Sequence, residues 1–243
     1  MPNSLESLVN LLESYRGRDK VIRILCYGSL LAGGIVSRRG SGSSQLGNRL
    51  LLFSSRLSDC RTVLRLFDDL SMFAYTWSYG LGVSEEDAGV RWICVINNLA
   101  DQLYYPLEHI AWAADARLIG VKSARWWTLS TLMWAVSLLM NILRSVRVIL
   151  LLRKKLRKNG RTNQRKGSLS EAGVSRSTEV QQQVHSEVLS ILSSMADLSN
   201  AIHWLPPGFL WSSRFPHWLV GLLGTVSSLI GLYQTYSGGG ANG

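Results

Sequence analysis

Residues 216–236 read PHWLVGLLGTVSSLIGLYQTY, a run with no Asp, Glu, Lys or Arg. A hydrocarbon core takes roughly 20 helical residues to cross, so this run has the length of a transmembrane span. Pro216 suits the first helical turn. His217 and Trp218 at one end, with Tyr233 and Tyr236 at the other, match interfacial belts. Gly221, Gly224, Ser228 and Gly231 recur every three or four residues, which sets small side chains on one stripe and offers a self-association face. Residues 215–236 are therefore read as the membrane anchor, and 237–243 (SGGGANG) as a flexible tail.

Working back from the anchor, residues 123–152 form another strongly hydrophobic segment and a possible span. Arg125-Trp126-Trp127 opens it, and its uncharged part ends at Leu143, before Arg144 and Arg147. An Arg at the bilayer centre costs about 2.5–3.5 kcal/mol on insertion scales, so this segment must tilt, snorkel or lie partly in the interface. Composition then changes. Residues 153–178 are basic and polar and read as a disordered linker. Its first part, Arg153, Lys154, Lys155, Arg157 and Lys158, is a juxtamembrane cluster that attracts anionic lipid at about 1 kcal/mol per charge. From 179 to 205, Val180, Val184, Val188, Ile191, Met195, Leu198 and Ile202 return at spacings of four and three, the pattern of an amphipathic helix or short coiled-coil seam able to bind a partner's groove. Leu205-Pro206-Pro207-Gly208 stops it.

Residues 1–122 carry helical periodicity throughout and lack alternating strand runs, so the fold class is all-α. Ser4 begins a first helix, Gly17 interrupts it, residues 37–48 form a Gly/Ser loop, and Pro106 bends or breaks a helix over 88–120. Residues 49–73 project as one amphipathic helix. Phe53, Leu57, Cys60, Leu64 and Phe67 form the apolar stripe, widened by Leu52, Val63, Leu66 and Leu70. Arg49 and Arg56 lie beside it. Ser54, Ser58, Arg61, Thr62, Arg65 and Asp69 fall opposite. A wide apolar stripe whose charges are mostly Arg suits a membrane-inserting helix that expands one leaflet, and equally a helix packed in a soluble bundle.

Charge points the same way as hydropathy. The 243 residues hold 26 Lys+Arg against 16 Asp+Glu, net +10, which suits a negatively charged partner. Nine Trp and eight Tyr favour an interface between water and lipid over nucleic acid. The three cysteines, Cys26, Cys60 and Cys94, have no C-x-x-C spacing, so neither a disulfide framework nor a zinc site is expected. No G-x-S-x-G, H-E-x-x-H or Walker A motif occurs, and the reading is of a non-enzyme without cofactor or metal. Glu108 and His109, adjacent in a helix, point to different sides and read as buried hydrogen-bonding groups. Asp68-Asp69 reads as a cap or as partners for arginines. The start MPNSLESLVNLLESYRGRDK lacks the features of a secretory or transit peptide. Asn141, Arg144 and Arg147 suggest a second function, an anion-selective pore for small metabolites in an oligomer.

Several blocks resemble the gamma branch of the peroxin-11 family. Residues 14–27 (SYRGRDKVIRILCY) are similar to its Arg-Asp-Lys signature, and 64–76 (LRLFDDLSMFAYT) to the segment after its membrane-active helix. Residues 99–118 (LADQLYYPLEHIAWAADARL), 123–139 (SARWWTLSTLMWAVSLL) and 196–211 (ADLSNAIHWLPPGFLW) are similar in the same order. The resemblance implies an integral multi-pass protein of the peroxisomal membrane, both termini toward the cytosol, that promotes curvature, elongation and division of peroxisomes. It also implies self-association with copies and related members, recruitment of tail-anchored fission adaptors and a dynamin-type GTPase, and insertion by a soluble import receptor. Residues 49–73 become the curvature helix. With two spans and cytosolic termini the basic cluster would face the matrix, against the positive-inside tendency.

Overall fold

The computed structural model describes residues 4–38, 44–166 and 171–239, and every regular element among them is an α-helix. The first two helices, α1 (Ser4–Glu13) and α2 (Tyr15–Val36), part at Ser14, whose hydroxyl accepts the Gly17 backbone N–H at 3.0 Å. The interruption therefore falls three residues before Gly17, at a side-chain cap.

The helix expected over 49–73 is two helices. α3 (Ser44–Arg65) starts earlier, within the sequence read as loop, and α4 (Asp68–Tyr79) follows a break at Leu66–Phe67. Gly47 lies in α3 because a side chain there would meet the Ser37 hydroxyl at 2.3 Å, so the glycine serves close helix approach. The break has two local causes. Asp68 and Asp69 favour the positively polarised first turn of a new helix. His109 also holds the corner, with its ring nitrogens 3.3 Å from the Arg65 carbonyl and 2.9 Å from Asp69 Oδ2.

Asp87 caps α5 (Ala88–Asp115) by accepting the Val90 N–H at 2.9 Å, and Pro106 lies inside this helix without ending it. Proline removes one backbone donor, but α5 is packed lengthwise on α6 (Ser123–Lys166), from Trp127–Asp115 at 2.6 Å to Arg147–Asp87 at 2.8 Å. Residues 153–166, expected as irregular linker, continue α6, and 171–178 already belong to α7 (Glu171–Trp204). Lys, Arg, Gln and Leu are good helix formers, and their polarity does not break the backbone pattern. The last helix is α8 (His217–Gly239).

Neighbouring helices run antiparallel in the order α3, α2, α8, α7, α6, α5, α4. α2 follows α8 from Lys20–Thr235 to Gly34 against the Trp218 backbone. α7 meets α8 through Asn200 and the Val220 carbonyl at 3.1 Å and through Gln234 and the Ser190 hydroxyl at 2.9 Å. It meets α6 through stacked Trp134 and Trp204, ring centres 5.7 Å apart, and through Asn141–Ser194 at 2.9 Å. Arg65 joins α3 to α5 by a fork onto Glu108, at 2.5 and 2.9 Å. Residues 1–122 are thus no separate unit, since α2 rests on α8 and α5 on α6.

Two predictions follow from the packing. A Cβ on Gly224 would lie 2.2 Å from the Tyr27 ring, whereas one on Gly231 meets nothing within 4 Å. Gly224→Leu should cost about 1–3 kcal/mol of overpacking, a drop of roughly 2–10 °C in the thermal midpoint of the full-length protein in detergent, with Gly231→Leu unchanged. The Asp87 carboxyl is held down to about 2 by hydrogen bonds from Arg147 and the Val90 N–H. A depressed folded value means this contact stabilises fully above the ordinary value of 3.8 and is lost as pH falls through the lower one. Acid unfolding followed by circular dichroism should therefore lose this contribution between about pH 4 and 2, and Asp87→Asn should remove that part of the pH dependence.

Candidate functional site

α6 and α8 are the two helices long and apolar enough to cross a bilayer among the described residues, with mean hydropathy reaching 1.9 over an 18-residue stretch within Ser123–Arg157 and 1.2 within His217–Tyr236. Between their ends their outward residues, Arg147 apart, are apolar: Leu132, Leu139, Leu143, Val146 and Leu150 on α6, and Leu222, Val226 and Leu229 on α8. Such faces belong against hydrocarbon or another protein.

The rest of the bundle shows the same inversion. On α3 the polar Ser54 and Thr62 are buried, and Ser54 lies against the Cys26 thiol, which donates to its carbonyl at 3.3 Å. Leu52, Phe53, Cys60 and Val63 face out, next to the exposed polar residues Ser55, Arg56, Ser58 and Asp59. On α5, Asn98 and Glu108 are buried while Trp92, Ile96, Leu99 and Leu103 face out. Soluble helices bury the opposite face.

This sorts the expected membrane-inserting residues. Phe53, Cys60 and Phe67 are exposed, Leu57 and Leu64 are half-buried, and Arg49 and Arg56 lie at the surface, with Arg56 3.7 Å from Asp59. Arg61 and Arg65 are corrected. Each reaches into the bundle, Arg61 to Asp19 at 2.8 Å and Arg65 to Glu108, so neither is available to a lipid headgroup. Phe73 and Trp77, which the expected stripe did not include, extend it. No residue of α4 is buried, and Phe67 (78% exposed), Leu70 (80%), Phe73 and Trp77 (79%) continue the apolar path. The signal was present in the sequence as the 70, 73, 77 spacing, hidden because 49–73 read as one straight helix.

The small-residue stripe is also corrected. Gly221 packs on the Leu31 backbone, Gly224 on Tyr27, and Ser228 accepts the Arg23 Nε–H at 3.1 Å, so α2 of the same chain occupies three of its four positions. Only Gly231 is left open. Arg153, Lys154, Lys155 and Arg157 are exposed along α6, with Lys155 3.4 Å from Glu86, while the Lys158 side chain lies outside the described residues.

The polar residues proposed for a pore are spent on partners. Asn141 donates to Ser194, Arg144 lies 3.4 Å from Glu187, and Arg147 pairs with Asp87. A cavity of about 1110 Å³ opens elsewhere, lined by Arg23, Arg61, Arg65, Asp101, Tyr104 and Glu108 with Trp112 and Trp134. Glu108 also accepts the Tyr104 hydroxyl at 2.7 Å, and burial beside it pushes that phenol well above its ordinary range. No cluster of three or more His, Cys, Asp or Glu suited to a metal occurs among the described residues.

Residues 5–236 match the family described as Peroxisomal biogenesis factor 11 (PEX11). Peroxisomal membrane protein 11C of Homo sapiens is 55% identical over 237 residues, covering 98% of this chain and 96% of that protein. The protein of the same name from Mus musculus is 49% identical over 235 residues, covering 97% and 95%. No solved structure matches the chain. A match that runs from α1 to the end of the last span, carried by relatives alike over nearly their whole length, places this chain in the peroxisomal biogenesis factor 11 family.

Proposed function

We propose that this chain is an integral protein of the peroxisomal membrane that promotes curvature, elongation and division of the organelle, without catalytic residues of its own. The names of its human and mouse relatives support the location. The mechanism rests on one observation: the apolar face running from Phe53 and Phe67 through Leu70, Phe73 and Trp77 points away from the protein, while the polar residues behind it are bound to α2 and α5. Inserted into one leaflet, that face expands it and favours bending, with Arg49, Arg56 and the exposed cations of α6 drawing anionic headgroups. Self-association with copies and family members concentrates the effect through surfaces other than the Gly221–Gly224 stripe. Tail-anchored fission adaptors, a dynamin-type GTPase and the soluble import receptor remain partners on the strength of the resemblance.

One observation favours a second reading, a path for small polar metabolites. Its place is the cavity lined by Arg23, Arg61, Arg65 and Glu108, and not Asn141, Arg144 and Arg147.

Leu70→Glu with Trp77→Glu separates the two. Both positions are about 80% exposed, so the fold should survive. The full-length double variant in vesicles rich in anionic lipid should stay membrane-bound after an alkaline wash while tubule formation falls to the protein-free level. Undiminished tubulation would remove the wedge, and unitary conductance steps from the same protein in a planar bilayer would move the cavity path ahead of it.

A further inference from the structure

α7 contains Asp197 and His203 and a long serine-rich polar face, and on hydropathy it does not stand out as a span. Its surroundings say otherwise. It lies lengthwise between the two helices that do, touching α8 from Gln234–Ser190 to Asn200–Val220 and α6 from Arg144–Glu187 to Trp134–Trp204. A helix held antiparallel between two crossing helices, one on each side, shares their depth, and that is the position of α7.

The side chains agree. Ser194, Asp197 and Asn200 are buried, 0–7% exposed, while Val188, Leu192 and Met195 face out at spacings of four and three. Ser194, Asp197 and Asn200, in the second half of α7, are thus turned inward, whereas the exposed polar residues Gln181, Gln182, Gln183, His185 and Ser186 lie toward its start. Asp197 binds Arg23 at 2.6 and 2.7 Å, and Arg23 also donates to Ser227 at 2.8 Å. Ser227 is midway along the 217–236 span, so the ion pair sits at its centre, screened from surrounding hydrocarbon by α2, α7 and α8. A charge at that depth requires a partner of this kind.

We infer that α7 crosses the membrane between α6 and α8 and that α2, which accompanies α8 from Lys20 to Gly34, crosses beside it. The inference rests on α6 and α8 crossing, and is independent of the wedge on α4. It has a topological consequence. The start of α2, the end of α6 with its basic cluster, the start of α7 and the end of α8 all gather at one face. The α7–α8 connection, with Trp204, Trp211 and Trp218, lies at the other. The basic cluster then shares a side with both termini, which satisfies the positive-inside tendency that two spans violate.

The test is protease mapping of the full-length chain in intact peroxisomes. Specific cleavage sites are placed within 167–170, at 207–208 and at each terminus in separate versions, with alkaline extraction confirming integration. The expected result is cleavage at 167–170 and at both termini without detergent, and at 207–208 only after detergent. Protection of both 167–170 and 207–208 would leave α7 on the far side and overturn the inference. So would cleavage of both, or termini that fall on opposite sides. Trypsin on the unaltered chain gives a check free of insertions: outside cleavage at Arg153–Arg157 is expected, and its absence from intact organelles counts against the inference.

Discussion

Arg23 and Asp197 are 174 residues apart and form the contact on which the arrangement of the other helices depends. The Arg23 guanidinium gives hydrogen bonds to both Asp197 oxygens, to Ser227 and to Ser228, so α2, α7 and α8 meet at one point. Separating buried charges leaves each uncompensated at a cost of about 3–5 kcal/mol, far more than the pair contributes relative to apolar residues of the same shape. Its effect is therefore on specificity: it fixes which helices neighbour one another and in what register. With that register set, Gly221 and Gly224 fall opposite the Leu31 backbone and Tyr27, and the helices approach closely.

The same physics recurs at the other side of the bundle. Arg61–Asp19 and Arg65–Glu108 tie α3 to α2 and α5, and Tyr104 adds a third group to the last of these. In water such pairs contribute little, because solvent competes for both partners. They become decisive when the outside of the bundle is apolar, since the polar groups then have no alternative but one another. Outward Leu, Phe and Trp and inward Arg, Asp and Asn are two expressions of one solvent. Neither helical propensity nor hydrophobic collapse in water would select this sorting.

Much of this was legible in the sequence, and the failures share a cause. The α8 span, the helical class and the stop at Leu205-Pro206 needed only composition and local backbone rules. The stripe on 49–73 was found with Arg61 and Arg65 opposite it, yet their acidic partners were not, because a helical projection shows which residues share a side and not what the side meets. Gly47 looked like a loop residue because the close approach that requires it comes from Ser37, at the C-terminal cap of α2. The glycines of α8 were read as a face for a second copy for the same reason: small residues announce a close neighbour without saying which. Residues 153–166 looked irregular because polarity was taken for disorder, although Lys, Arg and Gln are compatible with a helix that is wetted on all sides.

The corner between α3 and α4 joins these themes. A continuous helix through Phe67 would have pointed a single stripe in one direction. Instead His109 grips the Arg65 carbonyl and the Asp69 carboxylate, and Glu108, its neighbour in sequence on another side of α5, grips the Arg65 side chain. Two adjacent residues of one helix thus hold both ends of the break, which lets α4 turn onto α5 with none of its own residues buried. The most exposed apolar side chains of the chain are consequently presented by a short helix whose position is set by polar contacts behind it. A wedge needs that combination: an apolar face free to enter the leaflet, and a polar footing that keeps it from collapsing into the protein.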